Sequence, residues 1–152
     1  MSNLVMTVLA GLLATGLMTL SLYACHWQGF ANGDMVRALG SVITRKYDNS
    51  MIPGLAIHLT SGVIFALFYV FVWSMFPEIS GAGVLRHVQL GAFCGLAQGL
   101  VISTALVVFV AEHHPLEQFR VAGINVALVH LLAHIVYGAT LGGLAGVFHL
   151  TM

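Results

Sequence analysis

Residues 121–150 read VAGINVALVHLLAHIVYGATLGGLAGVFHL and contain no Asp, Glu, Lys or Arg. About 20 helical residues cross the roughly 30 Å of hydrocarbon in a bilayer, so this stretch predicts a transmembrane helix. Every fourth position along it carries a histidine or a glycine: His130, His134, Gly138, Gly142 and Gly146. At about 3.6 residues per turn, these residues share one slowly drifting helix face. We expect that face to meet something other than lipid.

The whole chain has the composition of an integral membrane protein. Of its 152 residues, 59% are hydrophobic and 7% are charged, and the mean hydropathy is +0.98. Soluble domains contain about 25% charged residues. The formal net charge is zero, and no basic run offers a surface for nucleic acid. The composition therefore indicates a lipid bilayer as the environment and argues against a nucleic-acid partner.

Four uncharged stretches are long enough to span a membrane, at residues 4–24, 55–76, 88–111 and 121–150. A membrane β-barrel would instead show alternating segments of about ten residues. The predicted fold is therefore all-α, a four-helix bundle in one transmembrane domain that covers residues 1–152. Pro53 and Gly54 are expected to break the chain before the second span.

The first connection, residues 26–54, is the only long one, and it is predicted to contain a short amphipathic helix at the membrane interface. Apolar residues recur there at helical spacing, namely Met35, Leu39, Val42 and Ile43. The basic residues near the span ends predict the orientation. Connections one and three hold Arg37, Arg45, Lys46 and Arg120, whereas the opposite side holds only Arg86. Both termini are therefore predicted outside the cytoplasm.

Six of the eight histidines fall on one side of the membrane when they are sorted by span, and only His87 and His149 fall on the other. His58, His130 and His134 lie at hydrocarbon depth, where an ionisable group is costly and normally faces a partner, a cavity or a cofactor. Two imidazoles four residues apart can bind one metal ion, and a third from another helix would complete a site with an open position. Alternatively, His58 and one of the other two could approach a haem from both faces.

The leading hypothesis is therefore a metal or haem site held by His58, His130 and His134. Its cofactor would be copper, zinc, iron or haem b, within a redox, electron-transport or metal-handling membrane complex. Nearby side chains could add a ligand or orient an imidazole through its second nitrogen: Glu112, His113, His114, Tyr137 and Asp34. No catalytic residue is assigned, and we expect no enzyme activity from the chain on its own.

Two other functions stay open. Glycine stripes on span three (Gly91, Gly95, Gly99) and span four (Gly138, Gly142, Gly146) are typical of close helix packing. If one chain does not use both stripes, the protein is an accessory subunit that packs against other membrane subunits or a second copy. A third reading is a quinone-binding or lipid-binding pocket lined by His134 and Tyr137.

The alternative is a purely structural role, in which the deep histidines only form hydrogen bonds between helices, to Thr60, Thr104 or Tyr137. On this reading His87, outside the cluster, is an ordinary interfacial residue. Gln98 and Ser103 are likewise predicted to form hydrogen bonds between helices. The aromatic run over residues 65–76 is predicted to face lipid.

Short motifs on all four spans carry a family resemblance. They are the hexapeptide ATGLMT at residues 14–19, His58 with Gly62, Gly91 with Gly95, and the pattern His134-x-x-Tyr137-Gly138. The chain resembles small bacterial four-helix membrane proteins that are grouped as a domain of unknown function. The resemblance implies the four-helix fold and marks as matching positions His58, Tyr69, His134, Tyr137 and Gly138. It implies no established activity.

Overall fold

The computed structural model describes residues 2–106, 108, 111–121 and 123–152. Within these residues the fold is all-helical, with four helices long and apolar enough to span a membrane. The long helices are α1 (Asn3–Trp27), α3 (Met51–Ser74), α5 (Val84–Ala105) and α7 (Ile124–Phe148). The short ones are α2 (Met35–Thr44), α4 (Pro77–Ser80), α6 (Ala111–His113) and a 3₁₀ turn (Glu117–Phe119). The predicted fold class is therefore confirmed, including a helix between the first two spans.

The observed helix ends differ from the predicted ones in two informative places. Helix α3 begins at Met51 and carries Pro53 in its first turn, where the missing N–H of proline has no helical partner to lose. The expectation that Pro53 and Gly54 break the chain before this span is therefore wrong. Helix α5 ends at Ala105, before the predicted end of span three. Residues 107, 109 and 110 of that prediction lie outside the described residues.

The four long helices are arranged in the order α3, α1, α7, α5. Helix α5 packs most extensively against α7, and α1 packs against both α7 and α3. Within the described residues, α3 and α5 have only sparse backbone contact. A side-chain hydrogen bond bridges them, from the Tyr69 hydroxyl to Gln98 Oε1 at 2.6 Å. The bundle is therefore least closed between α3 and α5.

The two glycine stripes form the seam between α5 and α7. Gly91 lies against the backbone of Gly138, and Gly95 lies against the carbonyl group of His134. A Cβ atom at Gly91, Gly95 or Gly138 would collide with a backbone carbonyl oxygen of the facing helix. Small residues permit this close approach, which brings the backbones into van der Waals contact. Because both stripes are used inside the chain, they no longer argue for an accessory subunit that docks through them.

Helix α2 packs on the first turns of α3 through a second pair of glycines. Gly40 lies against the backbone of Ser50, and Gly54 lies against the carbonyl group of Val36. The predicted apolar face is only partly covered: Val42 and Ile43 are 49% and 65% exposed, whereas Met35 and Leu39 each line two cavities. Helix α2 therefore covers one end of the bundle.

Hydrogen bonds between connections identify the two ends of the bundle. At one end, Asn32 Nδ2 donates to the Gln118 carbonyl oxygen at 3.4 Å, which joins connections one and three. At the other end, Asn3 Nδ2 donates to Thr151 Oγ1 at 3.0 Å. Connections one and three thus share a side, as four spans require.

The aromatic run of α3 does not face lipid throughout. Phe68 and Phe71 are more than half exposed, but Tyr69 and Trp73 are 7% and 4% exposed. Residues four apart share a helix face, so Tyr69 and Trp73 point together into the bundle. The prediction of a lipid-facing run is wrong for these two residues, and Trp73 packs edge-on against His87 with ring centroids 6.3 Å apart. His87 is buried.

Candidate functional site: two cavities and three histidines

His58 is buried in α3 and pairs with a threonine of α1. Its Nε2 atom lies 2.9 Å from Thr19 Oγ1. The Thr19 hydroxyl donates its own proton to the Thr15 carbonyl oxygen at 2.7 Å. The imidazole Nε2–H is therefore the donor to Thr19, and Nδ1 carries the lone pair of the neutral ring. The predicted partners Thr60, Thr104 and Tyr137 are replaced by Thr19.

His130 and His134 each donate a hydrogen bond to a carbonyl group of their own helix. His130 Nδ1–H donates to the Val126 carbonyl oxygen at 2.8 Å. His134 Nδ1–H donates to the His130 carbonyl oxygen, also at 2.8 Å. In a neutral imidazole the second nitrogen is then an acceptor, so both rings present an Nε2 lone pair. His130 Nε2 is buried and has no hydrogen-bond partner in the part of the chain that the structure describes.

The three deep histidines are divided between two cavities. The first, about 160 Å³ in volume, is lined by His58, His134, Tyr137 and Gln98, and is called the Tyr137 cavity. The second, about 200 Å³, is lined by His130 and His114 and is called the His130 cavity. Met35, Leu39 and Ile102 border both. The structure thus brings His58 and His134 together, and His130 lines the neighbouring cavity.

No group of three or more His, Cys, Asp or Glu side chains is arranged to hold a metal ion within the described ranges. The three deep histidines are divided between two cavities, so their side chains do not converge on one point. The metal or haem hypothesis stays a prediction.

The Tyr137 cavity has fixed polar groups on an apolar wall. Tyr137 is 2% exposed, and its hydroxyl donates to the Gly62 carbonyl oxygen at 2.6 Å. Gln98 Oε1 accepts the Tyr69 hydroxyl, which leaves the Gln98 amide N–H groups as donors. The predicted role of Gln98 between helices is confirmed. Ser103 instead donates to the Leu100 carbonyl oxygen of its own helix at 3.4 Å, so its predicted role is wrong.

His114 is a structural residue of the third connection. It is 2% exposed. The Leu116 backbone N–H donates to its Nδ1 at 3.0 Å, and its Nε2–H donates to the Ala38 carbonyl oxygen at 3.1 Å. Both ring nitrogens are therefore occupied, and the ring ties the connection to α2. Its predicted neighbours Glu112 and His113 are exposed on α6.

Asp34 belongs to a cluster of its own, the tyrosine clasp, formed by Tyr23, Asp34 and Tyr47. The Tyr23 hydroxyl donates to Asp34 Oδ1 at 2.7 Å, and the Tyr47 hydroxyl donates to Oδ2 at 2.9 Å. Arg37 lies over the Tyr47 ring, 4.6 Å from its centroid. The donated hydrogen bond to Asp34 raises the pKa of Tyr47 above its usual value of 10.0. Asp34 therefore fixes the start of α2 to the end of α1.

Sequence reasoning missed Thr19 and the tyrosine clasp. Thr15 and Thr19 each donate to the carbonyl oxygen four residues earlier, and Gly62 lies directly against the Thr15 side chain. Gly11, Thr15 and Thr19 recur at four-residue spacing, a signal that indicates a polar, small-residue face on α1. For the clasp, the sequence offers only isolated tyrosines and one aspartate in a loop.

In comparisons with known proteins, a family model described as "Family of unknown function (DUF6789)" matches residues 1–151. No curated protein and no solved structure matches the chain. The family match agrees with the resemblance seen in the short motifs of all four spans.

Proposed function

We propose that this chain, which belongs to the DUF6789 family of unknown function, binds the head group of a quinone or a lipid in the Tyr137 cavity. One observation carries the proposal. Polar side chains from three helices, His58, Gln98 and His134, line a cavity whose other walls are mostly apolar. Apolar pockets with a few fixed polar groups between membrane helices are the usual form of a small-molecule site.

The position of the cavity favours a ligand that comes from the lipid. Its walls are built from α1, α2, α3, α5 and α7, and it lies where α3 and α5 are least closely packed. A volume of about 160 Å³ is below the roughly 300–1,000 Å³ of sites that enclose a drug-sized ligand. The cavity therefore suits a head group or a single ring, with an apolar tail that leaves between α3 and α5.

The polar groups match both forms of a quinone head. A carbonyl oxygen would accept a hydrogen bond from the Gln98 amide. A hydroxyl group would donate to the lone pair on His134 Nε2, because His134 Nδ1–H is already committed to the His130 carbonyl oxygen. A lipid with an ester and a hydroxyl group offers the same pair of groups. The proposal concerns binding, and it assigns no electron-transfer step.

The ligand can be tested with a short-chain benzoquinone, which quenches tryptophan fluorescence. The chain has two tryptophans. In a Trp27→Phe background, buried Trp73 is the only reporter, and its ring lies 5.6 Å from that of Tyr69. We expect saturable quenching in nanodiscs, and roughly tenfold weaker binding in His134→Phe, the cost of about one hydrogen bond.

Two further variants keep this test decisive. His113→Phe makes the same substitution at an exposed position of α6 and should leave the affinity unchanged. Ser61→Phe narrows the cavity from α3, changes no histidine and should also weaken binding. Non-saturable quenching, or equal affinity in all variants, would show that the benzoquinone does not bind in this cavity.

The metal or haem hypothesis can be tested on the same purified protein. Two observations favour it: His58 and His134 share a cavity, and His130 Nε2 has no hydrogen-bond partner in the described part of the chain. A Soret band, or stoichiometric copper, zinc or iron, would make it the preferred function. We favour the quinone or lipid site because the described residues place only two of the three histidines in one cavity.

The cellular setting is part of the proposal. The proposed location is a bacterial inner membrane, and the distribution of Arg37, Arg45, Lys46 and Arg120 against Arg86 supports an orientation with both termini outside the cytoplasm. A reporter that works only in the cytoplasm should be inactive when it is fused to the C-terminus. Activity of that reporter would contradict this orientation. The proposed partners of the exposed apolar faces are other membrane subunits or a second copy of the chain.

A further inference from the structure

We propose that the His130 cavity is a second binding site, for an apolar molecule with one neutral hydroxyl group. The proposal is independent of the quinone or lipid site, because the two cavities contain different histidines. It starts from one atom. His130 is 2% exposed, and its Nε2 has no hydrogen-bond partner among the described residues. Buried polar side-chain atoms are normally satisfied, so an unsatisfied one calls for an explanation.

The ring of His130 is fixed so that Nε2 can only accept. Its Nδ1–H donates to the Val126 carbonyl oxygen at 2.8 Å, which leaves the Nε2 lone pair of the neutral imidazole. Rotating the imidazole ring by half a turn would turn Nδ1 away from the Val126 carbonyl oxygen and break that bond. The missing partner must therefore be a donor, such as a hydroxyl group.

The other polar side chains of the cavity are already committed. Both nitrogens of His114 are hydrogen-bonded, to Leu116 and Ala38. Both oxygens of Asp34 accept tyrosine hydroxyls, and Asn32 Oδ1 accepts the Asp34 backbone N–H at 3.3 Å. Within the described residues, His130 Nε2 is thus the buried acceptor without a hydrogen-bond partner among the side chains that line this cavity. One donor group on the ligand is sufficient.

The shape and walls of the cavity specify the rest of the ligand. Its volume is about 200 Å³, and its remaining lining is aliphatic or aromatic, from α2, α5, α7 and the third connection. Such walls favour a hydrocarbon chain over a charged group. Asn32 and Val121 line it from the two connections, so we place its entrance at the membrane interface. A fatty alcohol carries the required chemistry, and a monoacylglycerol offers the same donor through either of its two hydroxyl groups.

The test compares 1-decanol with decyl methyl ether, which has a similar chain but cannot donate a hydrogen bond. The protein carries ¹⁵N-labelled histidine in nanodiscs, and the His130 signals are assigned by their loss in His130→Phe. We expect decanol to move the Nε2 resonance upfield in a saturable manner, as accepting a hydrogen bond does, and the ether to leave it in place. Labelled decanol should bind roughly tenfold more weakly to His130→Phe.

Control variants separate loss of binding from loss of the fold. His113→Phe should bind decanol like the unmodified chain. Ala105→Phe narrows the cavity from α5 and keeps His130, so it should abolish the shift while the other histidine signals stay native. A monoacylglycerol that acts at lower concentration than decanol would identify a lipid head rather than a free alcohol as the source.

Four outcomes would overturn the proposal. They are a resonance that decanol does not move, equal shifts with decanol and the ether, a resonance already at the hydrogen-bonded position before any addition, and a response only to an alkylamine. The third result would mean that water satisfies Nε2. The fourth would mean that the site binds a cation or that the His130 imidazole takes up a proton.

Discussion

Gly138→Ala is expected to destabilise the bundle by about 2 kcal/mol, as overpacking of about 3 kcal/mol is offset by roughly 1 kcal/mol of helix propensity. The added Cβ would collide with the Gly91 carbonyl oxygen and lie 3.0 Å from Gly95 Cα. These are backbone atoms of α5, which cannot rotate away as a side chain can. Relief requires α5 and α7 to separate along their seam.

Gly16→Ala is the matched control for this prediction. Gly16 also lies inside a long helix, but among the described residues a Cβ there meets no atom within 4 Å beyond its own stretch of helix. The same substitution should therefore be neutral, or stabilising by up to about 1 kcal/mol. Both variants can be unfolded with sodium dodecyl sulfate in mixed micelles, with helicity followed by circular dichroism. Equal midpoints would show that the glycine seam does not limit stability.

Asp34→Ala should destabilise the tyrosine clasp by about 3 kcal/mol, since each hydrogen bond to a charged group contributes about 1.5–3 kcal/mol and Tyr47 is partly exposed. Asp34 is 8% exposed, and it holds the hydroxyls of Tyr23 and Tyr47. Without it both hydroxyls lose their acceptor, and the start of α2 is released from α1. The measurement is hydrogen exchange of the α2 backbone amides, which should become markedly faster.

Two variants bracket the effect. Asp34→Asn keeps one carbonyl oxygen as an acceptor, so its loss should be smaller. Asp48→Ala removes a carboxylate from the same connection at an exposed position and should leave the exchange of α2 unchanged. If Asp34→Ala also leaves α2 protected, the glycine contact with α3 is sufficient to hold the helix.

The clasp should also weaken at alkaline pH. The pKa of Tyr47 is raised above 10.0 in the folded protein, mainly by its hydrogen bond to Asp34, while Arg37 acts in the opposite direction and Asp48 adds to the rise. A raised folded-state pKa gives stability that is complete below pH 10.0 and is lost as the pH rises through the folded value. Protection of α2 should therefore fall above pH 10.0, and Tyr47→Phe should reduce this dependence.

Hydropathy and spacing predicted the fold because the relevant physics is local. A chain without charges over the length of each span has few alternatives to a membrane helix, and Gly91, Gly95 and Gly138 recur at the spacing of one helix face. The order of the helices was not predictable in this way. It depends on which faces fit, such as Gly62 against Thr15, and those pairs are distant in sequence.

The candidate site was only partly predictable. The sequence singled out His58, His134 and Tyr137, and the structure places all three on one cavity. It did not indicate that His130 would line a different cavity, because the direction of each imidazole is set by a carbonyl oxygen one turn earlier. Nor could it locate α2, whose position depends on the contact of Gly40 and Gly54 with backbone from the other helix.

The order α3, α1, α7, α5 has a consequence for biosynthesis. Helix α1 is made first, yet one of its two main neighbours is α7, which is made last. The hairpin of α5 and α7 can close by itself once its second helix is inserted, because most of its contacts are internal. We therefore expect α1 to be inserted early and to pack only against α3 at first. Its contacts with α7 can form only after the ribosome has completed α7.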